Sequence, residues 1–201
     1  MITRRRILFL ALPPAILRAQ EKPLIVILGP PGSGKSTQAG RLGRKLGVPV
    51  IEAGALAQKE MVAETREEAA KLKELHDSGL LTRFEMMNDL LAARLAEPDC
   101  ARGAVLDGYP RTAGHARFLD ELARRLGYAP PRAVVLEMAE AEAAKRIAKR
   151  ESPAALARRQ QEYREEIGAI EAQFRGRVLR VDGAAAPDAV ALAIQKALGL
   201  P

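Results

Sequence analysis

Between a strand-length apolar run and a helical pattern, residues 29–37 form a glycine loop that limits the possible folds more than any other segment. The loop reads Gly29-Pro30-Pro31-Gly32-Ser33-Gly34-Lys35-Ser36-Thr37 and fits G-x-x-x-x-G-K-[ST]. Leu24-Ile25-Val26-Ile27-Leu28 precedes it without a polar residue, and Ala39, Leu42 and Leu46 follow at helical spacing. Strand, loop and helix in this order aim main-chain N–H groups and a helix N-terminus at one spot, which favours a polyanion there. Lys35 adds a full positive charge for β and γ phosphates, and Ser36 offers a hydroxyl to Mg²⁺. The candidate nucleotide-binding residues are therefore Gly29, Gly32, Ser33, Gly34, Lys35, Ser36 and Thr37. The alternative, a glycine-rich turn with an unrelated lysine, must reproduce four fixed positions by chance, in roughly one chain in a hundred of this length.

Short apolar runs alternate with long helical patterns along the rest of the chain. The expected strands are 24–28, 48–51, 104–106, 133–137 and 177–181. The expected helices are 35–46, 54–76, 83–96, 112–126, 139–150, 154–174 and 187–198. Alternation on this scale predicts an α/β fold of the P-loop NTPase type: three layers, with a parallel sheet flanked by helices. Ligands in such folds bind at the carboxyl ends of the strands. With 201 residues, 48% of them hydrophobic, one domain over 23–201 can bury a core. Aromatics are only 3%, so that core must be built from Ala, Leu, Val and Ile. The single cysteine, Cys100, excludes an intrachain disulfide and argues against a thiolate metal cluster; it reads as a small apolar residue. The charged run 162–166 reads as a solvated helix face whose charges pair at i, i+3 and i+4.

Residues 1–22 read as a separate object. Arg4, Arg5 and Arg6 precede an apolar stretch over 7–17 of signal-peptide length, and Thr3-Arg4-Arg5 is loosely similar to a twin-arginine signal. The stretch is short for a transmembrane helix, and Pro13-Pro14 would break one, so no stable membrane span is expected. An export signal conflicts with ATP chemistry, which implies the cytoplasm. Export of the folded protein, a membrane tether facing inward, and a true start just before Leu24 each resolve the conflict. Of the formal charge of +7, Arg4, Arg5, Arg6, Arg18 and Lys22 against Glu21 place +4 in this segment. The small remainder, with no aromatic-and-basic cluster, gives no nucleic-acid partner.

A second constellation follows the third strand: Val105-Leu106-Asp107-Gly108-Tyr109-Pro110-Arg111. An acid ending a buried strand is well placed to hold a magnesium-bound water beside the phosphate loop. Gly108 and Pro110 force a turn that would swing Arg111 toward the same crevice, and arginine clamps phosphate through two parallel bonds. An N-capping Asp with a surface Arg is the plainer alternative. Further on, Arg146 and Arg150 are four residues apart, and Arg158 and Arg159 follow a Glu151-Ser152-Pro153 break. Arginines stabilise the charge spread over a moving phosphoryl group.

Phosphate loop, Leu-Asp-Gly-Tyr-Pro-Arg and arginine-bearing helix occur in one order, and over about 23–199 the chain resembles the adenylate kinase family of nucleoside monophosphate kinases. Asp107-Gly108-Tyr109-Pro110-Arg111-Thr112 is similar to that family's D-G-[FY]-P-R-T signature. The resemblance implies a five-stranded parallel sheet, a small helical acceptor-binding arm at about 53–82 and a very short lid at about 150–159. It implies that Lys35 and Arg111 contact the transferring phosphoryl group and that Arg146 lies against the ATP base and phosphates. Arg150 and Arg159 would close over the phosphates, Ser36 and Asp107 would serve Mg²⁺, and Asp182-Gly183 resembles the loop near the adenine. Departures concentrate on the acceptor side. Where family members read Ser-Thr-Gly-Asp-x-x-Arg, this chain reads Glu52-Ala53-Gly54-Ala55-Leu56-Ala57-Gln58. Gly54 is kept, the threonine that meets the acceptor base is Ala53, and the arginine that grips the acceptor phosphate is Gln58. The glutamine that reads adenine is replaced by His115, which either bonds that edge or is an exposed residue at a helix start.

Three readings follow. The first is an ATP- and Mg²⁺-dependent kinase for a nucleoside monophosphate, expected to be a monomer, whose acceptor need not be AMP. The second is a phosphate-loop kinase for another small metabolite, with Glu52 as the one candidate base for a hydroxyl acceptor. The third is a non-catalytic nucleotide binder.

Overall fold

The computed structural model describes residues 22–56, 83–148 and 152–201. Most of the expected helix 54–76 and of the acceptor arm, together with Arg150 and residues 1–21, lies outside them. In chain order the elements are β1 (Leu24–Leu28), α1 (Lys35–Leu46), β2 (Val50–Glu52), α2 (Arg83–Leu95), a 3-10 turn (Pro98–Arg102), β3 (Ala104–Asp107), α3 (Ala113–Arg125), β4 (Arg132–Glu137), α4 (Glu140–Ile147), α5 (Pro153–Gln173), β5 (Val178–Asp182) and α6 (Pro187–Leu198). Residues 53–56 add a helical turn directly after β2.

The strands form one five-stranded sheet in the order β2-β3-β1-β4-β5. Every pairing is parallel. Strand side chains alternate between faces, so each strand feeds two cores. Leu24, Val26, Leu28, Leu106 and Val135 face one side with Leu91 and Leu95 of α2, Leu119 and Leu122 of α3, and Phe174. Ile25, Ile27, Val105, Val134 and Leu136 face the other with Ala39 and Leu42 of α1 and Val190 and Ile194 of α6. Burial of such an aliphatic side chain contributes about 1.5–3 kcal/mol. β1, at the centre, is apolar throughout because both its faces are covered, as in other parallel sheets.

The register brings the strand ends level. Ile27 of β1 pairs with Asp107 of β3, Leu28 pairs with Val135 of β4, and Glu52 of β2 also pairs with Asp107. Because β1 lies between β3 and β4, the loops after β1 and β3 start side by side and open one crevice.

Several boundaries differ from the expectation. The second strand begins at Val50, not 48. The Val48 N–H is used to close α1 by donating to the Gly43 carbonyl at 3.0 Å. The fifth strand begins at 178 because the Arg177 N–H still closes the turn after α5, donating to the Phe174 carbonyl at 2.7 Å, while its guanidinium bonds both Asp120 oxygens at 2.7 and 2.9 Å. Residues 153–159, read from the sequence as part of a lid, are the opening turns of α5, where Ser152 Oγ accepts from the Ala155 N–H at 3.3 Å. Lys22 belongs to the folded body rather than to the leader. Its ammonium sits 3.5 Å above the Tyr128 ring, and its carbonyl accepts the Ala129 N–H at 2.9 Å.

The run 162–166 is not simply solvated. Arg164 pairs with Glu140 of α4 at 2.5 Å, and Glu166 Oε2 accepts the Ala113 N–H at the start of α3 at 3.4 Å. Burial pushes the Tyr163 phenol up to about 12. Cys100 is fully buried, as a small apolar residue should be, although its Sγ also accepts from Arg94 Nη1 at 3.0 Å. Among the described residues no helix is long and apolar enough to cross a membrane.

Candidate functional site

The loop after β1 owes its shape to three glycines in conformations that disfavour side chains. Gly29 has φ +149°, and Gly32 and Gly34 both have φ +90°. Close packing adds a second constraint at Gly32, where a Cβ would lie 2.1 Å from the carbonyl oxygen of Ala143 in α4. Around Gly34 a Cβ would meet nothing within 4 Å, so that side of the loop is open. Internal bonds hold the arch, with Ser33 N–H on the Pro30 carbonyl at 3.1 Å and Gln38 N–H on the Gly34 carbonyl at 3.0 Å. Ser33 itself is buried, whereas Ser36 and Thr37 are exposed on the first turn of α1. That turn carries no acidic residue, so the positive end of the helix dipole is undiminished. The Lys35 ammonium spans the loop, donating to the carbonyls of Gly29 and Pro30 at 2.8 and 2.9 Å.

Asp107 ends β3, buried and level with Ile27 near the end of β1. Gly108, at φ +78°, turns the chain, and Arg111 Nε donates back to the Gly108 carbonyl at 3.0 Å. A Cβ on Gly108 would be 3.9 Å from Arg111 Nη2 and 4.0 Å from Ala53 Cβ. The exposed Arg111 guanidinium therefore stands at the carboxyl ends of β3 and β2. Behind it, the Tyr109 hydroxyl is 2.7 Å from Asn88 Oδ1 of α2 and 3.1 Å from the His115 carbonyl. Burial raises the phenol pKa.

Two more elements close on the glycine loop. Arg146 of α4 donates to the Gly183 carbonyl at 3.3 Å and to the Ala184 carbonyl at 3.1 Å, and pairs with Glu142 at 2.9 Å. Gly183 donates its N–H to the Glu137 carbonyl at 2.8 Å. A Cβ there would lie 3.6 Å from the Ser33 carbonyl. The loop after β5, α4 and the phosphate loop thus share one side of the crevice. Sequence reading supplied Arg146 and Gly183, but not Ala143, whose backbone carbonyl lies against Gly32. The run Ala141-Glu142-Ala143-Ala144 was the available signal. Arg159 is exposed on α5, whose next residue, Gln160, bonds the Glu140 carbonyl of α4 at 3.2 Å.

On the acceptor side, Gly54 lies in the turn after β2 with open space around it. His115 is not an exposed residue at the helix start. It is 7% exposed in the first turn of α3, with Nδ1 accepting the Arg111 N–H at 3.3 Å. Among the described residues no group of three His, Cys, Asp or Glu side chains forms a metal cage. Mg²⁺ in a phosphate site keeps several waters and takes one or two protein oxygens beside the phosphates. Ser36 and Asp107 offer those oxygens, one from the first turn of α1 and one from the end of the strand beside β1.

The model of the adenylate kinase family matches residues 27–177. The adenylate kinase of Sinorhizobium medicae is 33% identical over 190 residues, covering 87% of this chain and 98% of that protein. That of Xanthomonas euvesicatoria pv. vesicatoria is 37% identical over 185 residues, with the same coverage of 87% and 98%. That of Thermosipho melanesiensis is 40% identical over 126 residues, covering 63% of this chain and 58% of that protein. By the family match, and by relatives more than 30% identical over most of their length, the chain belongs to the adenylate kinase family.

Proposed function

We propose that the acceptor of this chain is a nucleoside monophosphate read differently from AMP, on a donor site of the family's ordinary kind. Membership of the family makes the chain a phosphotransferase that moves a phosphoryl group from ATP to a nucleoside monophosphate with Mg²⁺. The metabolite-kinase and binding-only readings are thereby set aside. One observation carries the proposal on the acceptor. At the end of β2, where family members have threonine, Ala53 is buried with its methyl toward Gly108 and offers no hydroxyl to a base. Gln58, in place of the phosphate-gripping arginine, lies outside the described residues. Loss of contacts to a base costs roughly ten- to thousandfold in discrimination.

In this reading the loop amides and Lys35 bind the β and γ phosphates. Arg111 faces the transferring group from the end of β3. Arg146, braced by Glu142 and the loop after β5, lies along the donor. By the resemblance, Arg159 of α5 and Arg150, which lies outside the described residues, would close over the phosphates. When bound at Ser36 and Asp107, Mg²⁺ supplies charge neutralisation on the phosphates. The acceptor phosphate is already an anion, so no strong general base is required. Rate enhancement rests on positioning and charge stabilisation. By the resemblance, closure of the 54–76 arm, most of it outside the described residues, and of the short lid would exclude water and so suppress hydrolysis. A monomer is expected. Need for ATP favours the cytoplasm, and mass spectrometry of the native N-terminus tests whether residues 1–22 are removed.

A coupled assay with Mg²⁺-ATP and AMP, GMP, CMP, UMP and dTMP tests the acceptor. At least one other monophosphate should match or exceed AMP in kcat/KM. An AMP preference above about a hundredfold over every other acceptor would refute the proposal.

A further inference from the structure

His115 occupies the position at which the family resemblance places a base-reading glutamine, yet its bonds point elsewhere. Its backbone N–H donates to Thr112 Oγ1 at 3.1 Å, which caps α3. Its carbonyl faces the Tyr109 hydroxyl at 3.1 Å, and the two rings lie 4.8 Å apart. Packing and capping together fix the imidazole, which is 7% exposed. Nδ1 then accepts the main-chain N–H of Arg111 at 3.3 Å. That N–H sits in a tight turn already closed by Arg111 Nε on the Gly108 carbonyl at 3.0 Å. An acceptor at Nδ1 requires the neutral ring to carry its proton on Nε2.

We propose that His115 is a positioning residue, holding the Arg111 amide through Nδ1 and so fixing where the guanidinium stands at the crevice mouth. The inference rests on the reading of Arg111 as a contact of the transferring phosphoryl group. The imidazole works at the root of the arginine rather than on the acceptor base. Without the acceptor at Nδ1, the Arg111 N–H loses its partner in a half-buried turn and the 108–112 segment relaxes. The loss should fall on kcat, because the guanidinium is needed where the phosphoryl group moves. ATP affinity, set by the loop after β1, should stay the same.

Asparagine and glutamine separate the two nitrogens, since Asn Oδ1 can replace the Nδ1 acceptor while Gln reaches the Nε2 position. Full-length wild type, His115→Asn, His115→Gln, His115→Ala and Arg111→Ala are compared for kcat, for both KM values and for Mg²⁺-ATP affinity by calorimetry. His115→Asn should keep kcat within about threefold, and His115→Gln and His115→Ala should lose about tenfold or more with ATP affinity unchanged. An active Gln variant beside an inactive Asn variant, or equal losses in all three, would overturn the proposal. So would three unimpaired variants. Arg111→Ala separates the two claims: its full activity would sink the role of Arg111, whereas a dead Arg111→Ala with a fully active His115→Ala sinks only that of His115. ¹⁵N NMR of the histidine ring gives a readout independent of turnover. The Nε2–H tautomer is expected for His115, and the Nδ1–H tautomer would refute the contact.

Discussion

Replacing Gly32 with alanine would put a methyl carbon 2.1 Å from the Ala143 carbonyl oxygen. A carbon and an oxygen do not approach within about 3 Å without repulsion, so the loop and α4 must separate by roughly 1 Å. The obstacle is backbone in the middle of a helix, which cannot rotate away as a side chain would. Alanine would also have to hold φ +90°, a strain of order 1–3 kcal/mol. Overpacking adds about 1–3 kcal/mol. Since the loop can shift more readily than the sheet, most of this appears as misplacement rather than unfolding. A shift of 1 Å at a reacting group costs about a hundredfold in rate. We therefore expect kcat/KM for ATP to fall about a hundredfold, with weaker Mg²⁺-ATP binding by calorimetry. A loss of about 2 kcal/mol in stability would lower Tm by roughly 4–8 °C. Gly34→Ala is the comparison, because it has the same φ of +90° but meets nothing within 4 Å. Its stability loss should be the smaller, reflecting strain without the clash. If Gly32→Ala bound Mg²⁺-ATP within threefold of wild type, or melted no lower than Gly34→Ala, the argument from close approach would be wrong.

Lys35→Ala should lose at least a hundredfold in kcat/KM with little change in Tm, because the ammonium's visible bonds are to loop carbonyls on a surface arch rather than into the core. Steady-state kinetics beside a thermal melt checks both halves. Alkaline pH should destabilise the fold. Tyr163 is pushed up to about 12 by burial, and burial also raises Tyr109 and Tyr128. A raised phenol pKa stabilises the fold fully below the ordinary value of about 10, and that stability is lost as pH rises through the folded-state value. Thermal melts between about pH 8 and 11.5 should show Tm falling above pH 10, less steeply in Tyr163→Phe.

The sheet was legible because its signals are local and strong. Five apolar runs bounded by Gly, Pro or Asp fell within two residues of the observed strands. The donor loop was legible because its glycines, lysine and serine are contiguous in the chain. Less could be read where a residue's role is set by something distant in sequence. Arg177 looks like the first residue of a strand until Asp120, 57 residues earlier, is brought beside it. Lys22 reads as the end of a basic leader until Tyr128 supplies a ring for it. His115 looked exposed because helix starts usually are. Its burial depends on Tyr109 folding back over it, which no periodicity in 112–126 records.

The same contrast explains how a chain can keep half of a two-substrate site and rewrite the other half. The donor cradle is main chain. Its amides are aimed by three positive-φ glycines, backed by the Ala143 carbonyl and neighboured by Gly183. A Cβ at Gly29 or Gly32 collides with backbone, so substitution there costs folding and binding together. In the proposed reading the acceptor base is met by side chains just beyond strand ends, such as the position held by Ala53. Removing a hydroxyl there leaves the sheet intact, with alanine burying its methyl in the core beside β3. Such positions can change one at a time, each shifting preference among acceptors without disturbing the phosphates. Restoring the hydroxyl by Ala53→Thr tests this. The buried site must take one larger side chain, at a cost of about 1–3 kcal/mol in stability. If discrimination resides at strand-end side chains, kcat/KM for AMP should rise by about tenfold relative to the other monophosphates, with KM for ATP unchanged. A variant that folds and shows no change in the ratio would place acceptor choice elsewhere, in the arm beyond Leu56.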